Sequence, residues 1–283
     1  MDNREPVPGV LYVVATPIGN LEDITLRALE ILKGVDWIAA EDTRRTLILL
    51  ERYGIKAKLV SFYGDVEKQR SVELLNGLAT GESGAVVSDA GTPGASDPGG
   101  RIVAAAVERG IRVVPVPGAS AIAAAVSVAG LESARFVFEG FLPRTGEKRR
   151  KTMASFIGDE RALIFFESAK RVTATLKDFY EIIGDRKVVL MRELTKIHEE
   201  ISRTTLKDIA DEKHTLKEIG EYTIVVEGCT ETVEKEWPDE VDKAIELLDG
   251  AGLAPGVISK IISELYRVPK NGVYRKVLEK RDK

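Results

Sequence analysis

The residues best suited to chemistry lie between Val86 and Gly99, in the stretch VVSDAGTPGASDPG. Gly91, Gly94, Gly99 and Gly100 let bare backbone amides come close to a ligand, while Asp89, Thr92, Ser96 and Asp97 offer oxygens to its polar atoms. The apolar lead-in of Ala85, Val86 and Val87 predicts a buried parallel strand, and the pattern from Ile102 a helix, so this loop stands at the carboxyl end of a strand. Two other junctions share that character. Leu11 to Ala15 runs into Thr16, Pro17, Ile18, Gly19 and Asn20, and Ile111 to Val116 runs into Pro117, Gly118, Ala119 and Ser120. In an open α/β sheet ligands sit beyond the carboxyl ends of the strands, so three such loops from one sheet would share a crevice, although each alone is also compatible with a plain tight turn. Neither a G-x-x-x-x-G-K-[ST] motif nor a G-x-G-x-x-G after the first strand is present, which removes support for a nucleoside triphosphate or a dinucleotide.

Strands and helices alternate from Leu11 to about Pro115, with helices predicted over Thr25 to Lys33, Thr43 to Tyr53, Glu67 to Ala79 and Arg101 to Arg109. Strand runs such as Trp37 to Ala40 are continuously apolar, as in a parallel sheet covered on both faces. This predicts a wound α/β domain over 1–116. A second α/β domain follows over 117–229, with an Ala-rich helix from Ser120 to Ala129. Its strands are predicted at Phe136 to Glu139, Ala162 to Phe166, Lys187 to Met191, Ile197 to Thr204 and Tyr222 to Val226. A polar linker, 230–238, leads to a module over 239–283 with three short helices, Val241 to Asp249, Pro255 to Tyr266 and Lys270 to Glu279. Such a module suits either a helix-turn-helix RNA contact or a helical cap.

The 283 residues carry a net charge of −4, one cysteine and no apolar run near the roughly 20 residues of a membrane span. With an amino terminus, MDNREPVPG, that lacks signal-peptide regions, a cytoplasmic protein is expected. Two histidines and one cysteine cannot assemble a zinc site, and no metal is expected. Local charge departs from the acidic total: Arg144 to Lys151 has five basic residues against one acid, and Ser259 to Lys283 eight against three. Two such clusters favour phosphate contact, though either also suits a solvated helix face.

Seven segments then occur in order: TPIGNLEDITLRAL from Thr16, AAEDTR from Ala39, VSDAGTPGASDPG from Val87, VPVPGASA from Val114, FEGFLPR from Phe138, LIFFES from Leu163 and RELTK from Arg192. Over nearly the whole chain this resembles the ribose-2′-O-methyltransferases of bacterial small-subunit ribosomal RNA, members of the tetrapyrrole-methylase superfamily that use S-adenosylmethionine. The most specific segment is Asp89 to Gly99, because tetrapyrrole-acting relatives carry Gly-Asp-Pro where this chain has Gly91, Thr92 and Pro93. Two departures stand out. The family's histidine-containing stretch after the third strand is replaced by Ser61, Phe62, Tyr63, Gly64, Asp65, Val66 and Glu67, and Ala119 stands where a proline is common.

The resemblance implies two α/β domains with a cleft between them, a helix-turn-helix-like module, a homodimer, and methylation of a cytidine ribose in the decoding region of 16S ribosomal RNA, free or within the 30S subunit. It assigns cofactor contacts to Asp89, Gly91, Thr92, Ala95, Ser96, Ser120, Ala121 and Glu167. Phe165 and Phe166 are read as core. Transfer of a methyl group to a hydroxyl needs close placement of the reactants and help with one proton. Candidates are Glu41 and Asp42, or Arg192, Glu193 and Lys196, the second set being preferred because it directly follows a strand of the second domain; acids flanked by bases are also what a salt-bridge network looks like. Lys196 could serve as base only with a lowered pKa, for which Arg192 would supply the field. RNA contacts are expected from Arg44, Arg45, Arg144, Lys148, Arg149, Arg150, Lys270, Arg275 and Lys276. A tetrapyrrole methyltransferase would not need the basic terminal helices, and a non-catalytic RNA-binding protein would not need the glycine-rich loop.

Overall fold

The computed structural model describes residues 6–97, 99–131, 135–229, 239–266, 268 and 270–281, with backbone alone for 64–69, 239, 270, 271, 275, 279 and 281. Contacts divide the chain into one compact unit from Met1 to Thr230 and a second from Glu231 to Lys283.

The first unit holds two five-stranded sheets. Strands β1 (Val10–Val14), β2 (Trp37–Ala40), β3 (Leu59–Ser61), β4 (Gly84–Val87) and β5 (Arg112–Val116) are all parallel, in the order β3-β2-β4-β1-β5. Alternation along β1 shows why the run is apolar throughout. Val10, Tyr12 and Val14 enter one core with Ala28, Ile31 and Leu32 of α1 (Leu26–Gly34) and Leu50 of α2 (Thr43–Arg52). Leu11 enters the other, with Leu74, Leu75 and Leu78 of α3 (Gly64–Ala79) and Ile102 and Ala106 of α4 (Gly100–Glu108). Both faces are covered, as a parallel sheet requires. Pro115 is tolerated because β5 is an edge strand.

The second sheet comprises β6 (Phe136–Phe141), β7 (Ala162–Ser168), β8 (Lys187–Arg192), β9 (Glu200–Thr205) and β10 (Glu221–Val226), ordered β6-β7-β10-β8-β9, parallel only between β6 and β7. One face packs on α6 (Gly146–Ala154), α7 (Val172–Ile183) and α8 (Leu206–Ala210) through Met153, Leu176, Phe179 and Ile209. Ala125 and Ala129 of α5 (Ala121–Ala129) cover the other. The strand expected from Ile197 begins only at Glu200, because residues 193–199 turn back on themselves. Lys196 N donates to Glu193 O and Glu199 N to Lys196 O, with Glu193 and Thr195 in the left-handed region at φ +54° and +63°.

In the second unit, α9 (Asp239–Gly250), α10 (Pro255–Tyr266) and α11 (Lys270–Arg281) bury Val241, Ile245, Ile258, Ile262, Val273 and Val277 together. These are the three helices expected from the sequence. No helix among the described residues is long and apolar enough to cross a membrane.

Candidate active site

Loops from the carboxyl ends of the first sheet meet the second sheet around a cleft of about 280 Å³. The glycine-rich loop is held rigidly. Thr16 N donates to Gly91 O at 2.8 Å, Gly91 N returns the bond to Thr16 O at 3.0 Å, and Thr16 Oγ1 donates to Ser88 O at 3.0 Å. Gly91, at φ +84°, adopts a conformation that β-branched residues avoid, and a side chain there would meet Ile18. Ser120 N-caps α5: its hydroxyl accepts from Ala123 N and its carbonyl from Ala124 N. The first two helical amides, at Ala121 and Ile122, have no partner within the helix and border the cleft. Thr195 reaches across from the second sheet, its hydroxyl accepting from Asn20 N at 3.1 Å.

Of the residues assigned to the cofactor, Asp89, Gly91, Thr92, Ala95, Ser120, Ala121 and Glu167 line this cleft, and Ser96 does not. Ser96 stands behind it at φ +70°, against Gly140 of β6, where a Cβ would fall 2.5 Å from Ser96 Oγ. Glu167 borders the cleft yet is committed to partners on its own side of it, at the end of β7 and on α7. Its side chain is 1% exposed, accepts from Thr175 Oγ1 at 2.9 Å and Ser168 N at 2.8 Å, and pairs with Arg171 at 3.2 Å.

Glu193 and Lys196 line the cleft, and Arg192 does not. Arg192 is buried and held by Glu200 at 3.1 Å and His198 O at 3.2 Å. The lowered pKa that a basic Lys196 requires is not supplied. Burial acts to lower it, but the hydrogen bond to Glu193 (3.0 Å) and the carboxylate of Glu221 (3.3 Å) outweigh burial and raise it, so the ammonium keeps its proton. Glu193 is correspondingly lowered: burial opposes the shift, and the Lys196 ammonium and Glu221 N produce it.

The first sheet supplies a second charged cluster. Asp89 accepts from Asp42 N at 2.9 Å and faces Arg45 at 3.5 Å. Asp42 caps α2, and the Arg44 side chain and amide bring its carboxyl down to about 2. Burial and the Asp89 charge push Glu41 up, against a hydrogen bond from the Asp89 backbone and the pull of Arg45. Asp97 goes furthest, to about 6, through burial first and then the Glu41 and Asp89 charges, with the Ser88 hydroxyl opposing. The loop's sequence offered the Asp97 carboxylate as an oxygen for a ligand, without placing it among the assigned cofactor contacts.

Phe166, expected in the core, instead lines the cleft with Phe141 and Tyr222. Phe166 stacks edge-on with Phe138 and Phe141 at centroid distances of 5.1 and 5.5 Å, whereas Phe165 is core. The strand's alternation carried that signal, since Phe166 stands on the face opposite Phe165 and next to the end of β7.

Several expected RNA contacts are spent internally. Arg149 is partly buried and donates from Nε to Asp178 at 3.0 Å, and Arg150 bonds Asp178 at 2.7 Å and Glu181 at 2.9 Å, so both tie α6 to α7 instead of offering free charge. Lys276 reaches Asp242 at 2.8 Å within the second unit, whereas Arg44 pairs with Asp42 at 2.7 Å and keeps its side chain 88% exposed. Arg144 and Lys148 are exposed, Arg45 is at the cleft, and the side chains of Lys270 and Arg275 lie outside the described residues. Among the described residues no group of three His, Cys, Asp or Glu side chains is placed to hold a metal ion.

Comparison with known proteins agrees with this architecture. Residues 10–210 match the family described as Tetrapyrrole (Corrin/Porphyrin) Methylases. The chain is 48% identical over 220 residues to "Ribosomal RNA small subunit methyltransferase I" of Thermotoga maritima, covering 78% of this chain and 99% of that one. It is 42% identical over 276 residues to the protein of the same name in Escherichia coli O157:H7, covering 96% and 95%. Among solved structures, uroporphyrin-III C-methyl transferase from Thermus thermophilus complexed with S-adenyl homocysteine superposes with a TM-score of 0.54 at 17% identity, over 76% of this chain and 96% of the other, a likeness of fold. The chain belongs to the tetrapyrrole (corrin/porphyrin) methylase family and, within it, groups with relatives named ribosomal RNA small subunit methyltransferase I.

Proposed function

We propose that the protein is an S-adenosylmethionine-dependent methyltransferase that acts on the ribose 2′-hydroxyl of a cytidine in the decoding region of 16S ribosomal RNA. The observation that carries this reading is the cleft between the sheets, where a rigid glycine loop, open helix amides and an aromatic wall face a row of carboxylates. These features fit the cofactor's parts: the amides of Ala121 and Ile122 suit its carboxylate, the Gly91 to Ala95 backbone its polar edge and Phe166 its aromatic ring. When bound, S-adenosylmethionine supplies an electrophilic methyl carbon whose bonding electrons stay on sulfur as it leaves.

The chain's own residues then do three things. The bonds among Thr16, Ser88 and Gly91, with the Asn20 to Thr195 contact, fix the separation of the two walls, which sets the approach of the reacting atoms. Lys196, held by Glu193 and Glu221, places a positive charge at the cleft, where it stabilises a hydroxyl oxygen as its proton departs. Arg45, Arg144 and Lys148 offer positive charge to the RNA backbone, together with the terminal helices. The reading includes a homodimer and, from its ribosomal substrate, a place in the cytoplasm.

Labelled S-adenosylmethionine offered together with 30S subunits, naked 16S RNA or a tetrapyrrole precursor tests the substrate class. Label in the RNA is expected, and label in the tetrapyrrole alone overturns the proposal.

A further inference from the structure

We infer, on the ribose-methyltransferase reading above, that the open ring of Phe141 is the platform on which the base of the target nucleotide stacks, holding the attached ribose in the cleft. Three aromatic side chains border the cleft: Phe141, Phe166 and Tyr222. Tyr222 is buried and donates its hydroxyl to Lys217 O at 2.9 Å. Phe166 is half-buried, packed against the rings of Phe138 and Phe141. Phe141 differs from both. Its side chain is 62% exposed, braced edge-on by Phe166 at 5.5 Å.

Strict alternation along β6 would not put this ring in the cleft. Phe138 pairs with Ile164 and shares its face, the one that α5 covers, so an unbroken strand would place Gly140 on that face and turn Phe141 to the opposite one, with Val137. A bulge between Phe138 and Gly140 changes the outcome. Gly140 pairs with Phe165 and Phe141 with Phe166, which returns Phe141 to the side of Phe138 and Phe166. Gly140 takes φ +69° there and is buried against Ser96 of the glycine-rich loop, where a Cβ would fall 2.5 Å from Ser96 Oγ. The irregularity is therefore wedged between the second sheet and the glycine-rich loop, and its product is one uncovered ring at the cleft.

The charges around this ring suit a nucleotide. β6 is an edge strand, and the chain that leaves it carries Arg144 and Lys148, both exposed, while Lys196 keeps its positive charge in the same cleft. Proteins take unpaired RNA by stacking bases on aromatic faces and holding phosphates with Lys and Arg. A base reaches such a ring only after leaving its own stack, so the target nucleotide is taken unpaired or swung out.

Single-turnover transfer from labelled S-adenosylmethionine, followed against 30S concentration, tests this. A stack made equally in the bound and the reacting complex changes half-saturation and leaves the saturating rate alone. Phe141→Leu keeps an apolar side chain but removes the π face. It should raise the half-saturating 30S concentration by roughly 5- to 150-fold, the range for loss of one base–aromatic stack, with the saturating rate and the calorimetric affinity for S-adenosylhomocysteine unchanged. Phe141→Trp should return half-saturation to the wild-type range. Wild-type half-saturation in Phe141→Leu overturns the inference, whatever its saturating rate. So does a Phe141→Trp as weak as Phe141→Leu, which would make packing the cause, and so does weakened S-adenosylhomocysteine binding, which would give the ring to the cofactor. Wild-type protein that places no label in RNA refutes the methyltransferase reading instead.

Discussion

Lys196 shows how far a side chain's chemistry depends on neighbours that lie distant in sequence. Lys196 sits beside Arg192 in the chain, but Arg192 is turned toward Glu200 and His198 O, and the groups that reach the ammonium are Glu193 and Glu221, the latter from β10. Lys196→Met is therefore expected to slow single turnover by roughly 10² to 10³, the range for loss of one electrostatic stabiliser, with calorimetric affinity for the cofactor unchanged. A wild-type rate in this variant would remove Lys196 from the reaction. Gly91 was legible from its motif alone, and its φ of +84° adds the reason that motif needs glycine. Gly91→Val should abolish measurable cofactor binding in calorimetry and cost about 1 to 2 kcal/mol in a denaturant melt. The rise of the Asp97 carboxyl to about 6 was not legible, because its environment is assembled from the ends of β2 and β4, whose proximity only the sheet order reveals.

At the level of elements, apolar runs predicted the strands well because both faces of the first sheet are covered, and the order β3-β2-β4-β1-β5 brings the loops after β1, β2 and β4 to one edge of the cleft. The turn after β8 escaped prediction. Its residues alternate passably as a strand, yet Gly19 of the β1 loop presses against it, and an added Cβ would fall 2.5 Å from Lys196 Cγ and 2.8 Å from Leu194 O. Gly19→Ala should accordingly shift this turn and raise the KM for RNA or lower kcat without loss of secondary structure in circular dichroism; wild-type kinetics would show the contact to be slack. The basic run on α6 separates by burial in the same way. Arg149→Ala should lower the melting temperature by removing a charged hydrogen bond worth about 1.5 to 3 kcal/mol, with RNA affinity at matched salt little changed. The double change Arg144→Ala with Lys148→Ala should weaken RNA binding and flatten its salt dependence at unchanged stability.

For the whole molecule, the division at Thr230 separates a unit that contains the entire cleft from one with its own apolar core. Deleting the chain after Pro238 should then leave cofactor affinity intact and weaken RNA binding; an undiminished RNA affinity would make the terminal helices a cap rather than a contact. The three helices were readable from their breakers, Gly250, Gly252 and Pro269. Their basic surface was overestimated, since Lys276 and Lys280 pair with Asp242 and Glu246 of α9, a partnership that a count of charges along α11 alone does not reveal. The central claim is that this cleft delivers a methyl group to a ribose oxygen of small-subunit ribosomal RNA. Its most direct test is nucleoside mass spectrometry of 16S RNA taken from 30S subunits after incubation with the purified protein and isotopically labelled S-adenosylmethionine. Label on the ribose fragment of a single cytidine is the predicted result; label on a base, or none in the RNA, would contradict it.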